Sequence, residues 1–276
     1  MGMRLKYIIK LATPPVILSL SNRLLSNQHY GLTGDYSSWN EAMAASTGYD
    51  NKIILEKTKE AILKVKNGEV VYERDSVLFD EIQYAWPVLA GLMWVAARSG
   101  GRLNVMDFGG SLGSTYFQNR AFLSTLHCMR WNIVEQSSHV EIGKSHFDDD
   151  CLHFYSDITE CLAATQPNAI LLSSVLQYLE HPYRVLNQIQ EIPCNYIIID
   201  RTPFWDGLTD RLCVQTVPPS IYPASYPSWI FSAPRFHTYL NNNCKIIAEF
   251  DSFDNLNAPI NTFWRGFILE HKRHAK

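Results

Sequence analysis

The sequence predicts an α/β fold built on an open, mostly parallel sheet, with a helical extension before it. From residue 103 onward, short apolar runs alternate with longer stretches of helical spacing, which is typical of βαβ units. A glycine-rich turn follows the first of these runs. Residues 1–100 show helical spacing and no strand alternation strong enough to place a sheet. We therefore expect a helical extension over 1–100 and one α/β domain over 101–276.

Two helices are predicted in the extension. Apolar residues recur at helical spacing from Ile53 to Val65, and Asn67 with Gly68 supplies a stop. A second helical run covers about 77–97 and ends at a Ser-Gly-Gly sequence.

Seven strands are predicted in the α/β domain. Five parallel strands are expected at 103–106, 131–134, 152–155, 169–172 and 196–199. Crossover helices are expected at 112–126, 139–147 and 181–192. A terminal pair of strands is expected at 245–250 and 264–270. Between them, Ser232 is predicted to cap a helix that has Pro234 in its first turn.

The segment 201–231 interrupts this regular pattern. It combines five prolines with several aromatic residues and shows no clear periodicity. Prolines restrict the backbone and aromatic rings supply rigid contact area, so we expect an ordered lid over the strand ends. The alternative is an insertion that only packs on the sheet.

Composition excludes several classes of protein. Of 276 residues, 46% are hydrophobic and 18% charged, which argues against intrinsic disorder. The net charge of −3 provides no basic field for a nucleic-acid partner. The six cysteines form no CxxC pair and have no histidine at ligand spacing, so we expect no metal site and mostly buried, reduced thiols of a cytoplasmic protein.

The N-terminal residues mix basic side chains with a short apolar run. Pro14 and Pro15 interrupt this run, which is too short to span a bilayer. A packed helix is the preferred interpretation, and weak association with a membrane surface is the alternative.

The turn Asp107-Phe108-Gly109-Gly110-Ser111-Leu112-Gly113 carries the main chemical signal. Glycines after a buried strand and before a helix allow close approach of the backbone to a ligand. A dinucleotide-binding turn would read G-x-G-x-x-G, but from Gly109 the third position is Ser111 and the sixth is Ser114. Asp107 would also repel a pyrophosphate, whereas it could orient the amino group of a methionine moiety. The turn therefore favours S-adenosylmethionine over a nicotinamide dinucleotide.

Acidic residues after the next two strands extend this prediction. Glu135, followed by Gln136, could accept hydrogen bonds from both ribose hydroxyls, although a glutamate after a strand is more often a surface residue. Asp157 and Ile158 could hold the adenine, and the alternative for Asp157 is a helix cap. Ser174 leaves the fourth strand where donor and acceptor would meet. The predicted cofactor-binding residues are Asp107, Gly109, Gly110, Ser111, Gly113, Glu135, Gln136, Asp157, Ile158 and Ser174.

Taken together, the chain resembles class I methyltransferases over most of its length, and more narrowly a family encoded in bacterial surface-polysaccharide gene clusters. The strings that carry the resemblance are Tyr72-Glu73-Arg74-Asp75, the turn from Asp107 to Ser114, Val134-Glu135-Gln136, Ser174-Val175-Leu176-Gln177-Tyr178-Leu179, Ile199-Asp200-Arg201-Thr202-Pro203 and Tyr226-Pro227-Ser228-Trp229. The resemblance implies a Rossmann-like sheet whose last strand is inserted antiparallel, and S-adenosylmethionine as methyl donor. Ser111 departs from the D-x-G-x-G-x-G pattern of the superfamily, where a glycine stands, and its Cβ narrows the space for the ligand.

The function expected from these features is methylation of a hydroxyl on a sugar or glycan-related small molecule. His181, Tyr178 and Asp200 are the candidate proton acceptors, and Arg201 is a candidate for binding an anionic group. The alternatives are a helix-start role for His181 and pairing with a carboxylate for Arg201. Two rival functions are a catalytically silent binding or scaffold protein on the same fold and an enzyme that binds NAD or a nucleotide-sugar.

Overall fold

The structure is a computed structural model that describes residues 30–47, 51–252, 254, 256–259 and 261–272. The strands are β1 (Gly31–Thr33), β2 (Tyr72–Arg74), β3 (Val77–Phe79), β4 (Arg102–Phe108), β5 (Cys128–Val134), β6 (Leu152–Tyr155), β7 (Ala169–Ser173), β8 (Tyr196–Trp205), β9 (Arg211–Val217), β10 (Ala224–Ser232), β11 (Cys244–Asp251) and β12 (Phe263–His271). The helices are α1 (Trp39–Ala44), α2 (Asn51–Lys66), α3 (Trp86–Arg98), α4 (Ser114–Leu123), α5 (Ser137–His146), α6 (Ile158–Ala164), α7 (Pro182–Gln190) and α8 (Ala233–Asn243).

The N-terminal segment considered for membrane association lies outside the described residues. Within the described ranges, none of the helices combines the length and the apolar character that a bilayer crossing requires. All six cysteines are free thiols and four of them are buried, in agreement with the predicted mostly buried thiols.

The central sheet has the strand order β6-β5-β4-β7-β8-β12-β11. The first five strands are parallel, and β12 pairs antiparallel with both β8 and β11. All seven predicted strands are present, and the last one in the chain is inserted antiparallel, as expected. This is a mostly parallel, Rossmann-like α/β sheet, so the predicted α/β fold class is confirmed.

Both faces of the sheet are covered, which explains why its parallel strands are almost continuously apolar. Neighbouring residues of β4 point to opposite faces: Val105 packs in the cluster with α2 and α3, and Met106 in the cluster with α7 and α8. The predicted cap of α8 is also confirmed, because the Ser232 hydroxyl accepts a hydrogen bond from the Arg235 N–H.

The first hundred residues contain strands as well as helices, contrary to the prediction. β2 and β3 form a hairpin, and β1 pairs with β9. The hairpin turns at Asp75 and Ser76, which have φ of 53° and 66°, as a two-residue type I′ turn requires. The predicted helix over 77–97 begins only at Trp86, with Pro87 in its first turn. These strands are three residues long, too short to produce a visible alternation.

The segment 201–231 is also more regular than predicted. β8 continues to Trp205, and β9 and β10 form an antiparallel hairpin that adds to the same sheet. Pro203 and Pro227 stand inside strands, where proline normally argues against a strand assignment. The hairpin rises beside the carboxyl ends of the parallel strands and forms part of the wall described next.

Candidate functional site

A cavity of about 1100 Å³ lies at the carboxyl ends of β4 to β8. The β2–β3 hairpin, helices α1 and α2, and the β9–β10 hairpin enclose its other sides. Pockets for one small molecule commonly measure roughly 300–1000 Å³. The volume of this cavity lies above the upper end of that range.

The glycine turn after β4 forms one wall of the cavity through Gly109, Gly110 and Ser111. A Cβ on Gly109 would lie 2.4 Å from Val175 Cγ2, and one on Gly110 would lie 2.5 Å from the carboxyl group of Asp107. Both positions therefore require glycine. Ser111 adopts a left-handed conformation with φ of 54°, which costs a residue with a Cβ roughly 1–2 kcal/mol.

Gly113 has a different role from the other turn glycines. It does not line the cavity but precedes α4 at φ 98°, and its carbonyl accepts the N–H of Phe117 in the first turn of that helix. Gly113 therefore lets the chain turn from the glycine turn into α4.

Asp107 is a buried carboxylic acid beneath the turn. It is 1% exposed, and its Oδ2 accepts a hydrogen bond of 2.9 Å from the indole N–H of Trp131. Burial raises its pKa from 3.8 to about 7, against the lowering effect of that hydrogen bond. Since Asp107 also lines the cavity, a cationic ligand group there would stabilise its ionised form.

The acidic residues predicted on the next two strands also line the cavity. Glu135 and Gln136 follow β5, and Asp157 and Ile158 follow β6. Glu135 Oε2 accepts the backbone N–H of Gln136 at 2.7 Å. Asp157 caps α6 by accepting the N–H of Glu160 at 2.8 Å, so the interpretation as a helix cap is confirmed, and Asp157 also lines the cavity.

Two of the four candidate catalytic residues line the same cavity. The Tyr178 hydroxyl donates a hydrogen bond of 2.9 Å to Gln215 Oε1, and burial raises its pKa. Arg201 has a left-handed φ of 50° and lies 2.5 Å from Asp75 and 3.5 Å from Asp254. Although burial lowers the pKa of Arg201, these two carboxylates raise it overall. Arg201 is therefore already paired, as its alternative interpretation predicted.

The other two candidates lie outside the cavity lining. His181 precedes α7, its side chain is 66% exposed, and its nearest ionic partner is Glu180 at 3.8 Å. Asp200 is buried and accepts hydrogen bonds from Ser252 and Ser173, and it faces a second cavity of about 410 Å³. Burial raises the pKa of Asp200. Ser174, which was predicted to face the ligand, does line the main cavity, with φ of 53°.

Glu73 is a cavity residue for which sequence reasoning proposed no role. It lies in β2, is 2% exposed and lines the cavity. The string from Tyr72 to Asp75 is part of the family resemblance. Only the tertiary structure, however, shows that this short hairpin lies at the strand ends. Aromatic residues from other elements complete this side of the cavity: Trp39, Tyr222 and Tyr226.

No protein-family model matches the sequence, and no curated protein matches it. Solved methyltransferases resemble it in structure. The N-methyltransferase NodS from Bradyrhizobium japonicum WM9, in complex with S-adenosylhomocysteine, is 12% identical over 70% of this chain and 90% of its own, with a TM-score of 0.43. Magnesium protoporphyrin IX methyltransferase from Synechocystis PCC 6803, also with bound S-adenosylhomocysteine, is 14% identical over 81% of this chain and 99% of its own, with a TM-score of 0.46.

A third similar structure is the 1,6-didemethyltoxoflavin-N1-methyltransferase from Burkholderia thailandensis, with 1,6-didemethyltoxoflavin and S-adenosylhomocysteine bound. It is 12% identical over 88% of this chain and 93% of its own, with a TM-score of 0.41.

Proposed function

We propose that this chain is an S-adenosylmethionine-dependent methyltransferase that acts on a small-molecule acceptor. The observation that carries the proposal is the arrangement of Asp107, Glu135 and Asp157. These three acidic residues stand at the ends of three adjacent parallel strands, around one glycine turn, and line one cavity. Ligands of open α/β sheets bind at this edge.

The side chains match the parts of S-adenosylmethionine in order along the sheet. Asp107 would hold the amino group of the methionine moiety, Glu135 the ribose hydroxyls, and Asp157 with Ile158 the adenine. The close packing at Gly109 and Gly110 keeps side chains out of the space that the ligand needs. The residues present therefore fit this group.

The charge of the cavity supports the same donor. Arg201 is the only lysine or arginine among the described residues that line it, and it is paired with two aspartates. Six carboxyl groups line the same walls. Such a cavity would attract a sulfonium cation and repel the pyrophosphate of a dinucleotide or a nucleotide-sugar.

S-adenosylmethionine, when bound, supplies a methyl group on a positively charged sulfur. The protein residues then position the acceptor and exclude water. The part of the cavity beside Trp39, Tyr222 and Tyr226 offers flat apolar faces, which suit the ring of a sugar. We therefore propose a hydroxyl of a sugar or glycan-related molecule as the acceptor, with the 201–231 segment as its lid.

Calorimetry with S-adenosylmethionine and S-adenosylhomocysteine tests this proposal. We expect both to bind the wild-type chain, and the Asp107→Ala and Glu135→Gln variants each to bind about tenfold more weakly, because each loses a charge-assisted hydrogen bond. Glu141→Gln is the matched control, since Glu141 is exposed on α5 and does not line the cavity.

Absence of binding heat for both ligands would overturn the proposal, as would unchanged affinity in both site variants. Protection against thermal unfolding by NAD or a nucleotide-sugar, with none by S-adenosylhomocysteine, would favour the rival enzyme class instead.

A further inference from the structure

Glu73 is a buried acid in the cavity wall to which the proposed function gives no task. Its two carboxyl oxygens are held separately: Oε1 accepts the backbone N–H of Ser76 at 2.6 Å, and Oε2 accepts the hydroxyl of Ser114 at 2.7 Å. These contacts fix the orientation of the carboxyl group. Each oxygen retains a lone pair for another partner.

The position of Glu73 follows from what its hairpin contacts. Ser114 comes directly after the glycine turn of β4, and Asp75 pairs with Arg201 of β8. β7 lies between β4 and β8 in the sheet. The hairpin therefore spans the end of β7, where Ser174 lines the cavity.

This position is the boundary between the two parts of the cavity. The proposed donor residues on β5 and β6 lie on one side of β4, and β7 and β8 lie on the other side, towards the aromatic wall. A group that passes from donor to acceptor would cross this boundary.

The surroundings of Glu73 allow it to exchange a proton near neutral pH. Burial raises its pKa to about 7, while the hydrogen bonds from Ser114 and Ser76 lower it. Asp75 raises it further and Arg201 lowers it. The hydroxyls of Tyr72 and Tyr222 also interact electrostatically with it. A carboxyl group of this kind, fixed in a cavity wall, is suited to general base catalysis.

Building on the proposed function, we propose that Glu73 lies beside the transferred methyl group and accepts the proton of the acceptor's nucleophile. The acceptor oxygen forms its new bond to the methyl carbon with a lone pair, and the carbon–sulfur bond breaks with its electrons passing to sulfur. The O–H proton moves to the Glu73 carboxylate. The positive charge on sulfur and the negative charge on Glu73 are both removed, which a low-dielectric cavity favours.

The difference between S-adenosylmethionine and S-adenosylhomocysteine provides the test, because they differ in the methyl group and the charge on sulfur. The dissociation constants of both are measured by calorimetry from about pH 5.5 to about pH 8.5. A cation beside Glu73 lowers the pKa of that group, so S-adenosylmethionine should gain affinity relative to S-adenosylhomocysteine as Glu73 ionises. A lowering by one pKa unit changes the affinity ratio roughly sevenfold over this range.

Two variants make the test specific to Glu73. Glu73→Gln is nearly isosteric, so it should bind both ligands but lose the pH dependence of their affinity ratio that comes from ionisation of Glu73. Titration of the ligands themselves affects wild type and variant equally and cancels in this comparison. Ser114→Ala removes a hydrogen bond that lowers the pKa, so it should move the midpoint of the dependence to higher pH. Asp107→Asn should weaken the binding of both ligands by the same factor, since both carry the amino group that Asp107 is proposed to hold.

An affinity ratio with the same pH dependence in wild type and Glu73→Gln would overturn the inference. Equal weakening of both ligands by Glu73→Gln at every pH would also overturn it, because Glu73 would then contact a part that the two ligands share. Absence of binding by either ligand to the wild type would instead refute the proposed function itself.

Discussion

Replacement of Asp107 by asparagine should make the protein more stable at alkaline pH, although it removes a proposed ligand contact. Asp107 is almost fully buried, and its pKa is raised from 3.8 to about 7 by that burial. Each pKa unit equals about 1.4 kcal/mol, so ionisation of Asp107 in the folded protein costs roughly 4 kcal/mol. Asparagine retains an acceptor for the Trp131 indole N–H and carries no charge.

The raised pKa of Asp107 determines the direction of the stability change and the pH range in which it occurs. Because the folded-state pKa is raised, the folded protein holds the proton more tightly than the unfolded chain does. The wild type is therefore destabilised as the pH rises from about 4 to about 7, with no further change from this group above that range. The stability of Asp107→Asn relative to wild type should increase by roughly 2.5 kcal/mol between pH 5 and pH 8.

Urea unfolding, followed by tryptophan fluorescence at several pH values, measures this difference. A pH-independent offset between the two proteins, from lost or gained contacts of the asparagine, does not affect the slope. Parallel stability curves for wild type and Asp107→Asn would show that Asp107 has no raised pKa and would refute the reasoning.

Three further substitutions test other parts of the site. Gly110→Ala should weaken S-adenosylhomocysteine binding about tenfold or more and lower the free energy of unfolding by about 1–3 kcal/mol, because its Cβ would collide with Asp107. Calorimetry measures the affinity and urea unfolding measures the stability. Wild-type affinity and stability in this variant would contradict the packing described. Arg201→Met should cost about 1–3 kcal/mol in urea unfolding, because Asp254 is 11% exposed and loses its ionic partner, whereas Asp75 is 57% exposed and remains hydrated. No measurable loss would mean that the pair with Asp254 is not formed. His181→Ala should change S-adenosylhomocysteine affinity by less than about twofold in calorimetry. A tenfold loss of affinity would show that His181 contributes to ligand binding.

The sheet could be predicted from the sequence because local pattern and tertiary environment agree there. Parallel strands covered on both faces must be apolar throughout, and the segments between them must reach back as helices, so both signals are visible along the chain. The short strands β1, β2 and β3 gave no such signal. Their stability comes from partners elsewhere in the structure, as when Leu32 of β1 pairs with Gln215 of β9, and no local periodicity encodes that partnership.

The position of the acidic residues along one edge of the cavity was predictable for a related reason. Asp107, Glu135 and Asp157 each follow a strand, and parallel strands end at the same edge, so their sequence positions imply their proximity. The candidate proton acceptors had no such constraint. His181 lies beyond β7 in the chain and on the surface, whereas Asp200 lies within β8 and faces the second cavity.

The sequence by itself determined the seven strands of the central sheet and the glycine turn that follows Asp107, because these depend on residues close together in the chain. Only the tertiary structure decided what encloses the other side of the cavity. Glu73 is held at the strand ends by its hydrogen bond with Ser114. Its hairpin is held there by the ion pair between Asp75 and Arg201, which are 126 residues apart in the chain. Strings around both Glu73 and Arg201 carry the family resemblance, but contacts between residues so far apart in the chain leave no local periodicity that would reveal them.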